Sequence, residues 1–288
     1  MFCGGPPPLT REHIFRSSWK EKLDVSFFPP GSPLADVSEV AEKYRMYTRY
    51  GYDNSETRQK SETLFSVSVK RVCARCNNEW MNDLDTVVEP WVFDPTDDDN
   101  LRDPKQFRRW AIKVALLRAY YDSPNAVHQS DLKAVFDGDD IPEWHVFIGR
   151  TEHPDHRHTY CGWGPVSTDP EIGGRAIGIT EVAWTLGYSL VVTIRVEGGD
   201  QSWLPGSHFK LFKQYNRTQW VQVLEVLPNA KAMPSVRNAP ALPRHEVQRL
   251  VWFYTPNSVS PIAESVHALE YGWREAATDA GHTLHEIT

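Results

Sequence analysis

Cys73-Ala74-Arg75-Cys76-Asn77-Asn78-Glu79-Trp80-Met81-Asn82-Asp83-Leu84-Asp85 decides how the rest of the chain is read. Just before it, Phe65-Ser66-Val67-Ser68-Val69-Lys70-Arg71-Val72 alternates apolar and polar side chains, as a half-buried strand does. A strand therefore enters a Cys-x-x-Cys corner and leaves as a helix. Asn78 is placed to cap that helix, and Trp80, Met81 and Leu84 fall at helical spacing for one buried face. Two cysteines at this spacing aim both sulfurs at one metal, about 2.3 Å away for zinc, so Cys73 and Cys76 are candidate ligands.

A partner for the corner lies at the N-terminus. Met1-Phe2-Cys3-Gly4-Gly5 has the glycines of a zinc knuckle, where a backbone turn passes close under sulfur. Cys3 is the third candidate ligand; the alternative is a disordered terminal thiol. A complete knuckle needs a second cysteine, which would fall one residue before Met1. The expectation is a start further upstream, or a site closed by water, His13 or another side chain. Leu9-Thr10-Arg11-Glu12-His13-Ile14-Phe15 follows the knuckle.

A metal-held knuckle, a Glu-His pair and a Cys-x-x-Cys-Asn corner opening a helix, in that order, resemble the HNH endonuclease superfamily. The likeness is closest to bacterial and phage members with a zinc-binding treble clef around a ββα-metal site. Those members read roughly Cys-x-x-Cys-Gly, Thr-x-Glu-His, then Cys-x-x-Cys-Asn-Asn-x-Trp-Met. The resemblance covers about the first 85 residues, with a weaker echo through residue 123. It implies that His13 is the general base polarising a water for in-line attack on phosphorus. It implies further that Glu12 and Asn77 are ligands of a catalytic Mg²⁺ or other divalent cation, which wants oxygen donors, and that Cys3, Cys73 and Cys76 hold structural Zn²⁺.

Two positions depart from the pattern. The middle Asn of many such motifs, which orients the histidine, is Ser68 here, and a Pro shortly after the histidine is Arg16. Either change is expected to slow or abolish cleavage. Two functions therefore stay open: a metal-dependent endonuclease hydrolysing DNA, or a catalytically weak or inactive zinc-stabilised module that binds nucleic acid or protein. Outside the resemblance, His13 also reads as a structural histidine, and Asn77-Asn78 as turn and cap residues.

Length and composition set the frame. At 288 residues the chain is long enough for two domains. Eleven Trp argue against disorder. No apolar run approaches the ~20 residues of a membrane span, and no signal peptide is visible. Four cysteines, two of them in one Cys-x-x-Cys, point to metal in a cytoplasmic protein, not to disulfides. The net charge of -7 does not favour a nucleic-acid partner in bulk. Acids and bases balance over the first 85 residues, however, so the acidic surplus lies beyond them. Arg16, Lys20 and Lys22, and then Lys70, Arg71 and Arg75, form basic clusters that suit either a local phosphate footprint or a solvated mixed-charge surface.

The predicted architecture is α+β: an N-terminal treble-clef ββα-metal module over 1–96, with an insertion at about 25–60, and a larger C-terminal α+β domain over 97–288. The insertion is mostly loop, with a short helix near 37–43. An acidic linker spans 97–100, and Asp103-Pro104 caps a helix with Phe107, Trp110, Ala111, Val114, Leu117 and Tyr121 on one apolar face. Strands are predicted at 144–149, 159–163, 175–184, 189–196, 208–214 and 222–226, with a hairpin turn at Leu186-Gly187-Tyr188. Helices near 245–253 and 262–277 close the chain. His153-Pro154-Asp155-His156-Arg157-His158, with Cys161 just beyond, has metal-binding residue types but no framing elements. The C-terminal part carries no catalytic constellation; a protein partner there stays open.

Overall fold

The computed structural model describes residues 1–5, 8–27, 46–49, 58–61, 65–97, 103–122, 124–152, 159–167, 176–197 and 223–243. The predicted helices at 37–43, 245–253 and 262–277, the strand at 208–214, most of the acidic linker and the 153–158 histidine cluster lie outside those residues. The chain is α+β, as its pattern implied. Among the described residues no helix is long and apolar enough to cross a membrane.

The first strand, β1 (Leu9–His13), is followed by helix α1 (Ser18–Phe27). A short antiparallel pair, β2 (Met46–Arg49) and β3 (Arg58–Ser61), falls inside the predicted insertion. Strand β4 (Ser68–Cys73) then pairs antiparallel with β1 and opens the cysteine corner. The helix beyond the corner has three parts: a short α2 (Ala74–Cys76), a π-helical turn (Asn77–Met81) and α3 (Asn82–Phe93). The break falls at Glu79, whose φ of -103° and ψ of -107° are not helical. Asn78 caps nothing: the helix begins four residues earlier, with the Cys73 sulfur accepting from the Cys76 N–H as its N-cap.

Helix α4 (Pro104–Asp122) starts as its cap predicts, with the Lys105 N–H donating to Asp103 Oδ1 at 2.9 Å. It does not, however, present a single apolar face. Phe107, Trp110, Val114 and Leu117 are buried, but so are Ile112, Leu116 and Ala119, and so are the charged Arg108, Lys113 and Arg118. A helix enclosed on every side must satisfy its charges internally. Arg108 does so with Asp140 Oδ1 at 2.9 Å and with the Val226 and Trp144 carbonyls, each at 3.0 Å.

Helix α5 (Gln129–Asp137), ended by Gly138 at φ 83°, is an element the pattern reading missed. Strands β5 (Trp144–Arg150), β6 (Thr159–Ser167), β7 (Ala176–Leu186), β8 (Ser189–Glu197) and β9 (Leu224–Glu225) then form an antiparallel sheet in the order β6-β7-β8-β5-β9. Gly187, at φ 55°, turns β7 into β8 as predicted. One sheet face carries Trp144, Val146, Ile148, Val182, Trp184 and Val191 into the same core as Trp19, Leu23, Val69 and Val88 of the N-terminal part. The joint is aromatic: Trp110 lies between Trp19 and Trp184, with ring centroids 6.2 and 5.9 Å away, and Phe15 meets Trp184 at 5.8 Å.

Candidate metal centre

The three predicted cysteine ligands come together. The sulfurs of Cys3, Cys73 and Cys76 all lie within 4.8 Å of one another, and Cys3 Sγ is 3.3 Å from Cys73 Sγ. A tetrahedral ion with sulfurs about 2.3 Å away would separate them by about 3.8 Å, inside that range. Local backbone explains the convergence. Gly4 sits at φ 64°, a conformation that side chains resist. The Gly5 N–H donates to Cys3 Sγ at 3.3 Å, and a Cβ on Gly5 would lie only 3.0 Å from that sulfur. On the other side of the cluster the Cys76 N–H donates to Cys73 Sγ at 3.5 Å.

Two further contacts seat the N-terminus. The Met1 ammonium donates to the Arg71 carbonyl at 2.8 Å, and buried Phe2 meets Trp80 edge-on at 5.5 Å. The Arg109 guanidinium lies over the Trp80 ring, 4.8 Å from its centroid.

The thiols differ in electrostatics. The Cys73 thiol is held below its ordinary range, first by the Cys76 N–H. Burial pushes the Cys76 thiol up to about 12, against a pull from the Trp80 side chain. The Trp80 indole N–H closes no hydrogen bond of good geometry, so that pull is a weak one. A metal entering here must therefore displace the Cys76 proton, which makes its affinity pH-dependent. The donor set fits Zn²⁺: Cys3, Cys73 and Cys76 would hold it, and it would contribute folding free energy. No fourth Cys, His, Asp or Glu among the described residues joins the group, and His13 stands apart from it.

Glu12 and His13, which the resemblance assigns to one catalytic site, do not share a face. Strand alternation sends Glu12 and His13 to opposite faces of β1. Glu12 is buried at 6% exposure, whereas His13 is half-buried and stands opposite Ser68. The Glu12 carboxylate meets Lys113 of α4, fully buried, with Lys113 Nζ at 3.8 Å from Glu12 Oε1 and 2.6 Å from Asp85 Oδ1. Trp110 Nε1 donates to the same Asp85 oxygen at 3.0 Å. Burial pushes the Glu12 carboxyl up to about 7, with Lys113 opposing and the Asp85 charge adding. Asn77 spends its amide N–H groups on Thr10 Oγ1 at 3.1 Å and the Arg11 carbonyl at 3.2 Å, tying the helix head to β1. In this arrangement the Glu12 carboxylate is committed to Lys113 and is not offered to a Mg²⁺ ion. Lys113 and Asp85, which complete the Glu12 environment, left no motif in the sequence. The only signal was a lysine in the middle of an otherwise apolar helical stretch.

Arg16, the other departure from the motif, has a structural role. Its guanidinium donates to Asn82 Oδ1 at 2.9 Å, Thr86 Oγ1 at 3.1 Å and Glu89 Oε2 at 3.3 Å, three successive turns of α3. Trp19 Nε1 adds a hydrogen bond to Glu89 at 2.8 Å, and Lys22 pairs with the same carboxylate. Burial alone would raise the Glu89 carboxyl; hydrogen bonds from Lys22 and Trp19, with the charges of Lys22 and Arg16, hold it below its ordinary value.

The outer face of the β1–β4 pair is basic for a definable reason. The pairing runs Thr10 with Val72 and Glu12 with Val69, so one extra residue sits in β4 and Arg11 faces both Lys70 and Arg71. This bulge shifts the in–out phase. Val69 and Val72 are buried, while Lys70 and Arg71 between them are both exposed, as is Arg11. Arg11 and His13 share that face, and exposed Arg75 follows at the corner in an i,i+4 pair with Glu79.

No family model matches the chain, and no curated protein or solved structure is significantly similar to it.

Proposed function

We propose that the first 93 residues, packed on α4, form a zinc-stapled nucleic-acid-binding module that docks the outer face of β1 and β4 on a phosphodiester backbone. The observation that carries this reading is the bulge-made row of Arg11, Lys70 and Arg71, exposed beside His13. None of the three forms an ion pair among the described residues, so no carboxylate among those residues has to be displaced before a phosphate binds. The DNA partner comes from the resemblance to HNH proteins; the cationic face is what supports it in this chain. The reading places the protein in the cytoplasm, where its thiols stay reduced.

Binding of a labelled DNA duplex, followed by fluorescence anisotropy across a salt series, tests the proposal. Each lost phosphate contact lowers the slope of log K against log salt by about 0.9. Lys70→Ala with Arg71→Ala is therefore expected to lower it by about 2 and to weaken all sequences alike. An unchanged slope in the double variant refutes the reading.

A second reading, phosphodiester hydrolysis with His13 as general base, is favoured by one observation. His13 is half-buried at the end of β1, and no hydrogen bond holds its imidazole among the described residues. Plasmid nicking by the wild type that falls by about 10²–10⁴ in His13→Ala, with zinc content unchanged, would establish it. Nicking that persists undiminished in His13→Ala excludes it.

A further inference from the structure

The Glu12–Lys113–Asp85 cluster joins β1 and α3 to α4 across the domain boundary predicted at 96/97. Glu12 is the last residue but one of β1, Asp85 lies in the first turn of α3, and Lys113 reaches down from the middle of α4. All three are buried: Lys113 at 0% exposure, Asp85 at 5% and Glu12 at 6%. The ammonium lies 2.6 Å from one carboxylate and 3.8 Å from the other. Trp110 fixes Asp85 from the side.

A buried lysine and a divalent cation compete for these carboxylates. Mg²⁺ and Mn²⁺ take oxygen donors, and an ammonium offers only N–H groups. An incoming ion would also meet a fixed positive charge within a few ångströms, in a medium that screens poorly. Driving Lys113 away would leave a charged side chain without its partners in the middle of an enclosed helix.

We propose that Lys113 is the built-in counter-cation of Glu12 and Asp85, occupying the place of a divalent ion and keeping that ion out. The acidic half of the motif is then a lock between β1, α3 and α4, not a cofactor site. Any chemistry at His13 would run without a divalent ion on Glu12. The cluster lies on the inner side of β1, so the proposal is independent of whether nucleic acid binds the outer side.

The test is Mn²⁺ binding to the full-length, zinc-loaded protein without nucleic acid, with free Mn²⁺ counted by electron paramagnetic resonance. Wild type and Glu12→Gln are expected to bind Mn²⁺ identically. Lys113→Met, close in length but uncharged, is expected to gain one site at least tenfold tighter than any wild-type site, and Lys113→Met with Glu12→Gln is expected to lose it. A wild-type site that Glu12→Gln abolishes overturns the proposal, and so does a folded Lys113→Met protein that gains no site. The comparison of wild type with Glu12→Gln needs no lysine variant, so it decides the matter even where Lys113→Met fails to fold.

Discussion

Replacing Glu12 with Gln is expected to remove a pH-dependent loss of stability that the native protein carries. Burial, with Asp85 adding and Lys113 and Arg16 opposing, raises the Glu12 carboxyl from 4.5 to about 7. The sign follows from which state holds the proton longer. Below pH 4.5 both folded and unfolded chains are protonated at Glu12, and the group contributes no pH dependence. Between 4.5 and 7 the unfolded chain ionises while the folded one keeps its proton, so stability falls as pH rises. Above 7 the whole difference has been lost, about 3 kcal/mol at roughly 1.4 kcal/mol per pH unit. The substituted glutamine would keep the shape without the titration, and Lys113 would still have Asp85 at 2.6 Å, so no ammonium is orphaned. Urea unfolding of zinc-loaded protein at pH 5 and pH 8 reads the effect. The stability difference between Glu12→Gln and wild type should shift in the variant's favour by about 2.5 kcal/mol on going from pH 5 to pH 8. Parallel pH profiles for the two proteins would refute the placement of an ionisable Glu12 in this interior.

Changing Cys73 and Cys76 together to Ser is expected to abolish zinc binding, read by metal analysis, and to melt the N-terminal module, because the metal contributes to its folding; unchanged stability with zinc retained would rule the centre out. Gly5→Ala places a Cβ 3.0 Å from Cys3 Sγ and 3.8 Å from Cys73 Sγ, so a zinc competition assay should show weaker metal affinity with the rest of the fold intact. Arg16→Pro, which restores the residue of the related motif, removes three hydrogen bonds to α3. It is therefore expected to lower stability by about 1–3 kcal/mol in thermal unfolding and not to raise any cleavage rate.

The local parts of the centre were legible because they depend on short-range geometry. Cys-x-x-Cys after an alternating strand, and glycines beside Cys3, constrain backbone and sulfur within a few residues, and the three thiols converge as that chemistry requires. The same holds for the Asp103 cap of α4 and the Gly187 turn. Helix α5 was missed although Gly138 marks its end, because its apolar face is clear but runs over only 9 residues, with Leu132 and Val135 as its buried apolar anchors.

What a motif could not determine was which face each side chain would meet. Lys70-Arg71 breaks the apolar alternation of β4, but only pairing with β1 turns the break into a bulge that exposes both cations. Glu12 and His13 are neighbours in sequence and belong to one motif by resemblance. Strand alternation puts them on opposite faces of β1, and the inner face becomes a buried lock only because α4, a helix about a hundred residues away in sequence, packs under it. Lys113 looks in the sequence like a charge on the solvent side of an amphipathic helix. It becomes a buried counter-ion because the sheet and the N-terminal module enclose that helix from every direction. Short-range spacing thus determines where the thiols converge, since a few bonds connect them. The partners of Glu12 are decided only when segments distant in the chain are packed together, because burial and charge pairing are properties of that packing.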